Sequence, residues 1–278
     1  MRDRKIKSAD RGKYGFYIAA VAVLLVAFAA VGFAAEGSAA ADAGFFEEFK
    51  AKLILNFVED DRWKYLTNGL LNTLIISFFA VIIGIVLGFI IAIIRSTCDM
   101  VDKKNIFTKT INAILKAYLT VIRGTPSLIQ LLIMYYVILT APDISKIFVA
   151  VVSFGLNSSA YIAEIVRSGI MSVDSGQFEA GRSLGFTHAQ TMWHFILPQA
   201  FKNVLPALGN EFIVLIKETS IAGYIGIDEL TRGGDFIRSR TYEAFMPLIA
   251  VAIIYLIIVM FLTKLVDIME RRLKTDGK

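Results

Sequence analysis

The sequence predicts an all-α protein that crosses a lipid bilayer several times, and three observations carry that prediction. Of its 278 residues 56% are hydrophobic, and the mean hydropathy is +0.64, above what ordinary globular chains show. Several apolar runs approach or exceed the roughly 20 residues that span a bilayer as a helix. The basic residues, which give a formal net charge of +5, gather between those runs, as cytoplasmic loops require. That distribution excludes a nucleic-acid face, which would need a basic stripe on one surface. The single cysteine, Cys98, excludes an intramolecular disulfide and a cysteine-rich metal site.

The elements follow in order. Arg2, Arg4, Lys5, Lys7, Arg11 and Lys13 face Asp3 and Asp10 in residues 1–13, and an unbroken apolar run follows over 14–35. Ala39-Ala40-Ala41 would suit cleavage after it, but the run exceeds the roughly 7–15 residues of a signal core. It is therefore expected as a retained helix that starts in the cytoplasm. Residues 36–64 form an acidic-leaning extracytoplasmic segment with an amphipathic patch over 45–57, anchored at the interface by Trp63 and Tyr65. Further spans are expected at 66–94, 114–139, 144–170, 204–225 and 244–266, which makes six with both termini inside.

Local features qualify these spans. Gly84 and Gly88 form a small-xxx-small pair suited to close helix packing. Asn68, Asn72 and Thr73 share one face, placed for interhelical hydrogen bonds or for a cavity wall. Pro126 removes a helix donor within the third span, so a kink or break is expected there. Residues 226–243 are expected as an outside loop, with three arginines that run against the charge rule.

The chain is organised around residues 171–202, an amphiphilic interruption of its greasy second half. Asp174 with Gln177, and Thr187 with Gln190, each suit a capping box at the start of a helix. Glu179 is placed to complement the positive end of the first helix's dipole. Gly185 is free to adopt left-handed geometry and stop that helix, and Pro198 marks the expected limit of the second. The prediction is a helical hairpin with Leu184 and Phe186 at its elbow.

The residues of this hairpin are also a motif. Glu179-Ala180-Gly181, then Gly185, then Leu197-Pro198 resembles the EAA loop of ABC importer permeases. Gly181 stands where that motif has its second alanine, and Phe195 where it has isoleucine. The resemblance extends from about residue 68 to 272 and narrows to the permeases for polar amino acids (histidine, glutamine, glutamate, arginine and opines). It is carried by Asn68-Gly69-Leu70, Asn72-Thr73-Leu74, Arg123-Gly124-Thr125-Pro126, Asn157-Ser158-Ser159-Ala160-Tyr161-Ile162-Ala163-Glu164, Ser175-Gly176-Gln177 and Lys217-Glu218-Thr219-Ser220-Ile221. It implies a type I ABC importer transmembrane fold in the cytoplasmic (inner) membrane of a bacterium. A five-helix core within residues 65–270 would carry one extra N-terminal span in residues 1–35, with residues 36–64 between them. It further implies a second permease copy or related permease, an ABC ATPase dimer that binds the ATP, and an extracytoplasmic solute-binding protein. In that family the hairpin docks on the ATPase, which assigns coupling to Glu179, Ala180, Gly181, Leu184, Gly185, Phe186 and Pro198.

Charges inside spans face the bundle interior or a water-filled cavity. Arg123 and Lys217 are placed to meet the carboxylate of an amino acid, and Glu164 its ammonium group, with Asn157 and Glu218 along the same pathway. The competing reading is that these groups fasten helices together, since Glu164 and Arg167 stand three apart on one helix and suit a bridge. No G-x-x-x-x-G-K-[ST] phosphate loop occurs in the sequence, so hydrolysis by that route must reside in a partner. His188 and His194 lack the companion ligands of a metal site, and no catalytic set converges, so neither metal nor enzymatic chemistry is expected. The rivals are a passive channel or scaffold, and the same machine carrying an organic acid, cystine or an opine.

Overall fold

The computed structural model describes residues 45–100 and 105–275. The expected span at 14–35, and the basic start before it, lie outside the described residues. The chain divides into two units, Met1–Leu55 and Asn56–Lys278. The described part of the first contains helix α1 (Phe45–Leu53), whose acidic first turn and basic last turn suit its dipole. Lys52 and Glu48 pair across one of its turns at 3.4 Å.

The second unit has only helices as regular elements among its described residues. It contains α2 (Trp63–Met100), α3 (Ile106–Gly124), α4 (Ser127–Ile133), α5 (Lys146–Met171), α6 (Ser175–Ser183), α7 (His188–Thr191), α8 (Leu197–Glu218), α9 (Leu230–Thr241) and α10 (Phe245–Thr275). Three of these, α2, α5 and α10, are long and apolar enough to cross a membrane, and α3 with α4 makes a fourth if the bent pair is one span. The fifth expected span, 204–225, is instead the end of α8 followed by a 3-10 segment at Thr219–Ile225. Lys202, Asn203, Asn210, Glu211, Lys217 and Glu218 keep that helix from qualifying by composition.

Helix α5 is the hub, with 72% of its apolar window buried against 17% for α10. Its contact with α2 depends on missing side chains. A Cβ on Gly88 would come within 2.6 Å of Ile162, one on Gly84 within 3.0 Å of Ser158, and one on Gly155 within 2.8 Å of Ile83. Two buried hydroxyls of α5 find partners on neighbouring helices, as groups in such an environment must. Ser158 Oγ donates to Glu211 at 2.8 Å, and Ser159 Oγ lies 2.7 Å from the Tyr118 hydroxyl.

Residues 226–243 depart from expectation. Most of this segment is helix α9, started by Glu229, whose carboxylate accepts from the N–H groups of Thr231 and Arg232, each at 2.7 Å. Burial pushes the Glu229 carboxyl above its ordinary range, while those two N–H groups pull it back. The arginines are met locally: Arg232 pairs with Asp228 at 3.1 Å, Arg238 pairs with Asp235 at 2.6 Å, and Arg240 stacks on Tyr65.

Helix α9 lies on α2 nearly backbone to backbone. A Cβ on Gly69 would sit 2.7 Å from the Glu229 carbonyl oxygen, and one on Gly233 would sit 2.5 Å from that of Tyr65. Asn72 donates to the Asp228 carbonyl at 2.8 Å and Thr73 Oγ1 accepts from the Leu230 N–H at 3.2 Å, so this polar face joins helices. Backbone cannot rotate aside as a side chain can. Gly69→Val is therefore expected to destabilise the chain by about 1–3 kcal/mol or more, read as a lowered melting temperature in detergent. Gly124→Ala, where a Cβ meets nothing within 4 Å, should leave that temperature unchanged.

Candidate functional site

The break in α3–α4 shapes the first part of the site. Thr125 is extended (φ −121°, ψ 146°), as the residue before a proline prefers, and the two helices meet at 109°. Carbonyls left without helical partners are capped by side chains. Thr125 Oγ1 donates to the Val121 carbonyl at 2.8 Å, and Gln130 Nε2 donates to that of Ile122 at 2.7 Å. The last turn of α3 then presents Arg123 over the ring of Tyr161, at 5.6 Å.

Arg123 and Tyr161 line a cavity of about 470 Å³ with Glu164 of α5 and Ser172, Asn203 and Glu211. Its volume falls within the roughly 300–1,000 Å³ of small-molecule sites. Among the described residues no carboxylate pairs with Arg123. Glu164 is engaged: Arg167 donates to it at 2.7 Å and Arg95 lies 3.6 Å away. Glu211 of α8 also reaches the cavity and accepts from Ser158.

Not every candidate gathers there. Asn157 is buried and donates to Gln130 Oε1 at 2.9 Å. Lys217 is exposed in the last turn of α8 with Glu218 half-buried beside it, and neither lines this cavity. A second cavity of about 700 Å³ shares Ser172, Asn203 and Ala207 with the first and opens toward the hairpin, bordered by Asp174, Lys202 and Glu270.

The hairpin folds largely as its residues dictate. Gly185 is left-handed at φ +80°, and the N–H groups of Phe186 and Gly185 donate to the carbonyls of Gly181 and Arg182, each at 3.0 Å. These are the paired bonds of a Schellman stop. Thr187 and Gln190 form the full capping box.

Three details differ from expectation. Asp174 caps α6 through the Gly176 N–H at 2.7 Å, while the Gln177 side chain accepts from Gln199 instead of closing a box. Glu179 stands beyond the first turn and is exposed, so it adds little to the dipole. Pro198 does not end the second helix. A π turn at Met192–Ile196 precedes it, with the Leu197 N–H reaching back to Met192, and the proline sits in the first turn of α8, where its missing N–H is tolerated.

The departure at Gly181 has a structural reason. Thr191, only 1% exposed, lies so close that a Cβ on Gly181 would meet its Oγ1 at 2.5 Å and its Cγ2 at 2.6 Å. Rotating Thr191 exchanges one clash for the other. Gly181→Ala is expected to lower stability by about 1 kcal/mol or more, and Thr191→Ala in the same chain to restore most of it, as a paired melting series would read. Leu184 at the elbow is 73% exposed and Trp193 in the π turn 68%, while Phe186 stacks edge-on against Phe195 at 5.2 Å.

Comparison with known proteins agrees with this architecture. Residues 84–275 match the family model described as binding-protein-dependent transport system inner membrane component. The arginine transport system permease of Bacillus subtilis is 38% identical over 214 residues, which are 76% of this chain and 94% of that protein. The L-cystine transport system permease of the same organism is 36% identical over 223 residues, 78% of this chain and 90% of that one. A crystal structure of an amino acid ABC transporter with histidines superposes with a TM-score of 0.68 at 42% identity, covering 83% of this chain and 99% of the other. The chain belongs to the family of binding-protein-dependent transport system inner membrane components, and it is a permease subunit of an ABC importer.

Proposed function

We propose that this permease imports polar amino acids across the bacterial inner membrane, with both termini in the cytoplasm. The observation that carries the reading is the cavity with a guanidinium on one wall and two carboxylates on others. An amino acid offers a carboxylate and an ammonium group to such walls. Arg123 meets the carboxylate with its two-pronged donor face. Glu164 and Glu211 supply the acceptors for the ammonium group, and Asn157, Lys217 and Glu218 border the route without lining this cavity. Relatives that carry arginine or cystine, by their names, support this class of cargo.

The energy comes from a partner. Residues 171–202 serve as the coupling hairpin within a permease domain of 65–270, and residues 1–35 and 36–64 add an N-terminal span and an extracytoplasmic segment. The elbow at Leu184, Gly185 and Phe186, with Glu179, Ala180 and Gly181 behind it and Pro198 at its root, docks on an ATPase dimer that binds the nucleotide. The membrane unit pairs this chain with a second copy or a related permease, and a solute-binding protein delivers cargo to the outer face. Closure of the ATPases moves the hairpin, and the bundle exchanges one access state for the other.

Reconstitution into liposomes with the cognate ATPase and binding protein tests this directly. Labelled amino acid should accumulate only with ATP inside the ATPase compartment. Uptake of an organic acid in place of amino acids would overturn the cargo, and conductance without ATP would overturn the coupling.

A further inference from the structure

Gln130 belongs to no motif, yet it makes four polar contacts where the backbone breaks. Its Nε2 donates to the carbonyls of Ile122 at 2.7 Å and Thr125 at 3.1 Å, and to Thr125 Oγ1 at 2.8 Å. Its Oε1 accepts from Asn157 Nδ2 at 2.9 Å. The two strapped carbonyls flank Arg123 and Gly124, so one side chain holds the last turn of α3 from both sides. Asn157 and Tyr161 are four apart on α5 and share a face. That face grips the break twice, through Gln130 and through the ring beneath Arg123. Gln130 does not itself line the cavity.

We propose that Gln130 is a positioning residue for cargo recognition, which it serves by strapping the broken end of α3 to Asn157 so that Arg123 is held over Tyr161 toward the cavity. This rests on the reading in which Arg123 meets the cargo carboxylate. A guanidinium at the frayed end of a helix would sample many rotamers, and binding would have to order it. A strap that fixes both neighbouring peptides does that ordering in advance. Asn157 consequently acts through Gln130 and has no need to touch cargo.

The test is a double-mutant cycle in the reconstituted importer, read as KM and maximal rate of ATP-driven uptake. Gln130→Leu should raise KM about fivefold, as expected for lost neutral hydrogen bonds, with the maximal rate little changed. In an Arg123→Ala background the same substitution should add nothing further. Gln130→Glu, which is nearly isosteric but lacks both donors, should reproduce the KM effect and serves if the leucine variant fails to assemble. An unaltered KM in Gln130→Glu, or effects of Gln130 and Arg123 that simply multiply, would overturn the positioning role while leaving the cargo reading intact. If Arg123→Ala itself left KM unchanged, the cargo reading would fail, and the role of Gln130 with it.

Discussion

Replacing Leu184 by aspartate is expected to abolish ATP-driven uptake while the chain still inserts and folds. Leu184 is 73% exposed at the elbow, so the substitution removes little internal packing. In the proposed docking this bare apolar side chain enters the ATPase. Apolar anchors at the centre of an interface contribute about 2 kcal/mol or more each, and a carboxylate there adds an unpaired buried charge, so affinity should fall at least about thirtyfold. Co-purification of the ATPase and uptake should disappear together, with unchanged melting of the permease. Normal uptake by Leu184→Asp would remove the elbow from the coupling mechanism.

Loss of the Arg123 guanidinium should have an effect of similar size at the other end of the machine. No carboxylate among the described residues pairs with it, whereas Glu164 already holds Arg167. Hydrogen bonds to charged groups contribute about 1.5–3 kcal/mol, so Arg123→Ala should raise KM for cargo roughly 10- to 150-fold. Lysine at this position keeps the charge but loses the planar fork and the stacking on Tyr161, so it should restore only part of the affinity. Basal ATPase activity of the assembled importer, measured without cargo, should be unaltered. A KM that stays at its original value would place cargo elsewhere.

Much of the hairpin was legible because its signals are local. A left-handed glycine, a Thr-x-x-Gln box and a proline that holds the residue before it extended act within one or two turns. The break at Thr125-Pro126 and the close packing at Gly84 and Gly88 were legible for the same reason. What was missed depends on distant partners. Helix α9 begins at a glutamate cap and contains Gly233-Gly234, which by propensity argue for a loop. It forms because α2 offers a face of glycine, asparagine and threonine on which its backbone can lie. The pressure of Thr191 on Gly181 and the reach of Glu211 into the cavity are likewise set by packing between elements. Gln130 left one faint trace, an amide side chain one turn beyond a helix-breaking proline.

The glycine-mediated seam between α2 and α9 has a mechanical corollary. Two backbones in such contact, tied by Asn72 and Thr73, cannot slide past one another without opening a gap that nothing can fill. They form a stiff beam. Compliance then belongs to the places where the helical hydrogen-bond ladder changes its step without such a strap: the π turn at Met192–Ile196 and the 3-10 segment at Thr219–Ile225. The first of these joints lies at the root of the hairpin, so in the proposed coupling a push at the elbow is passed on by rotation at that joint and not by bending of the beam.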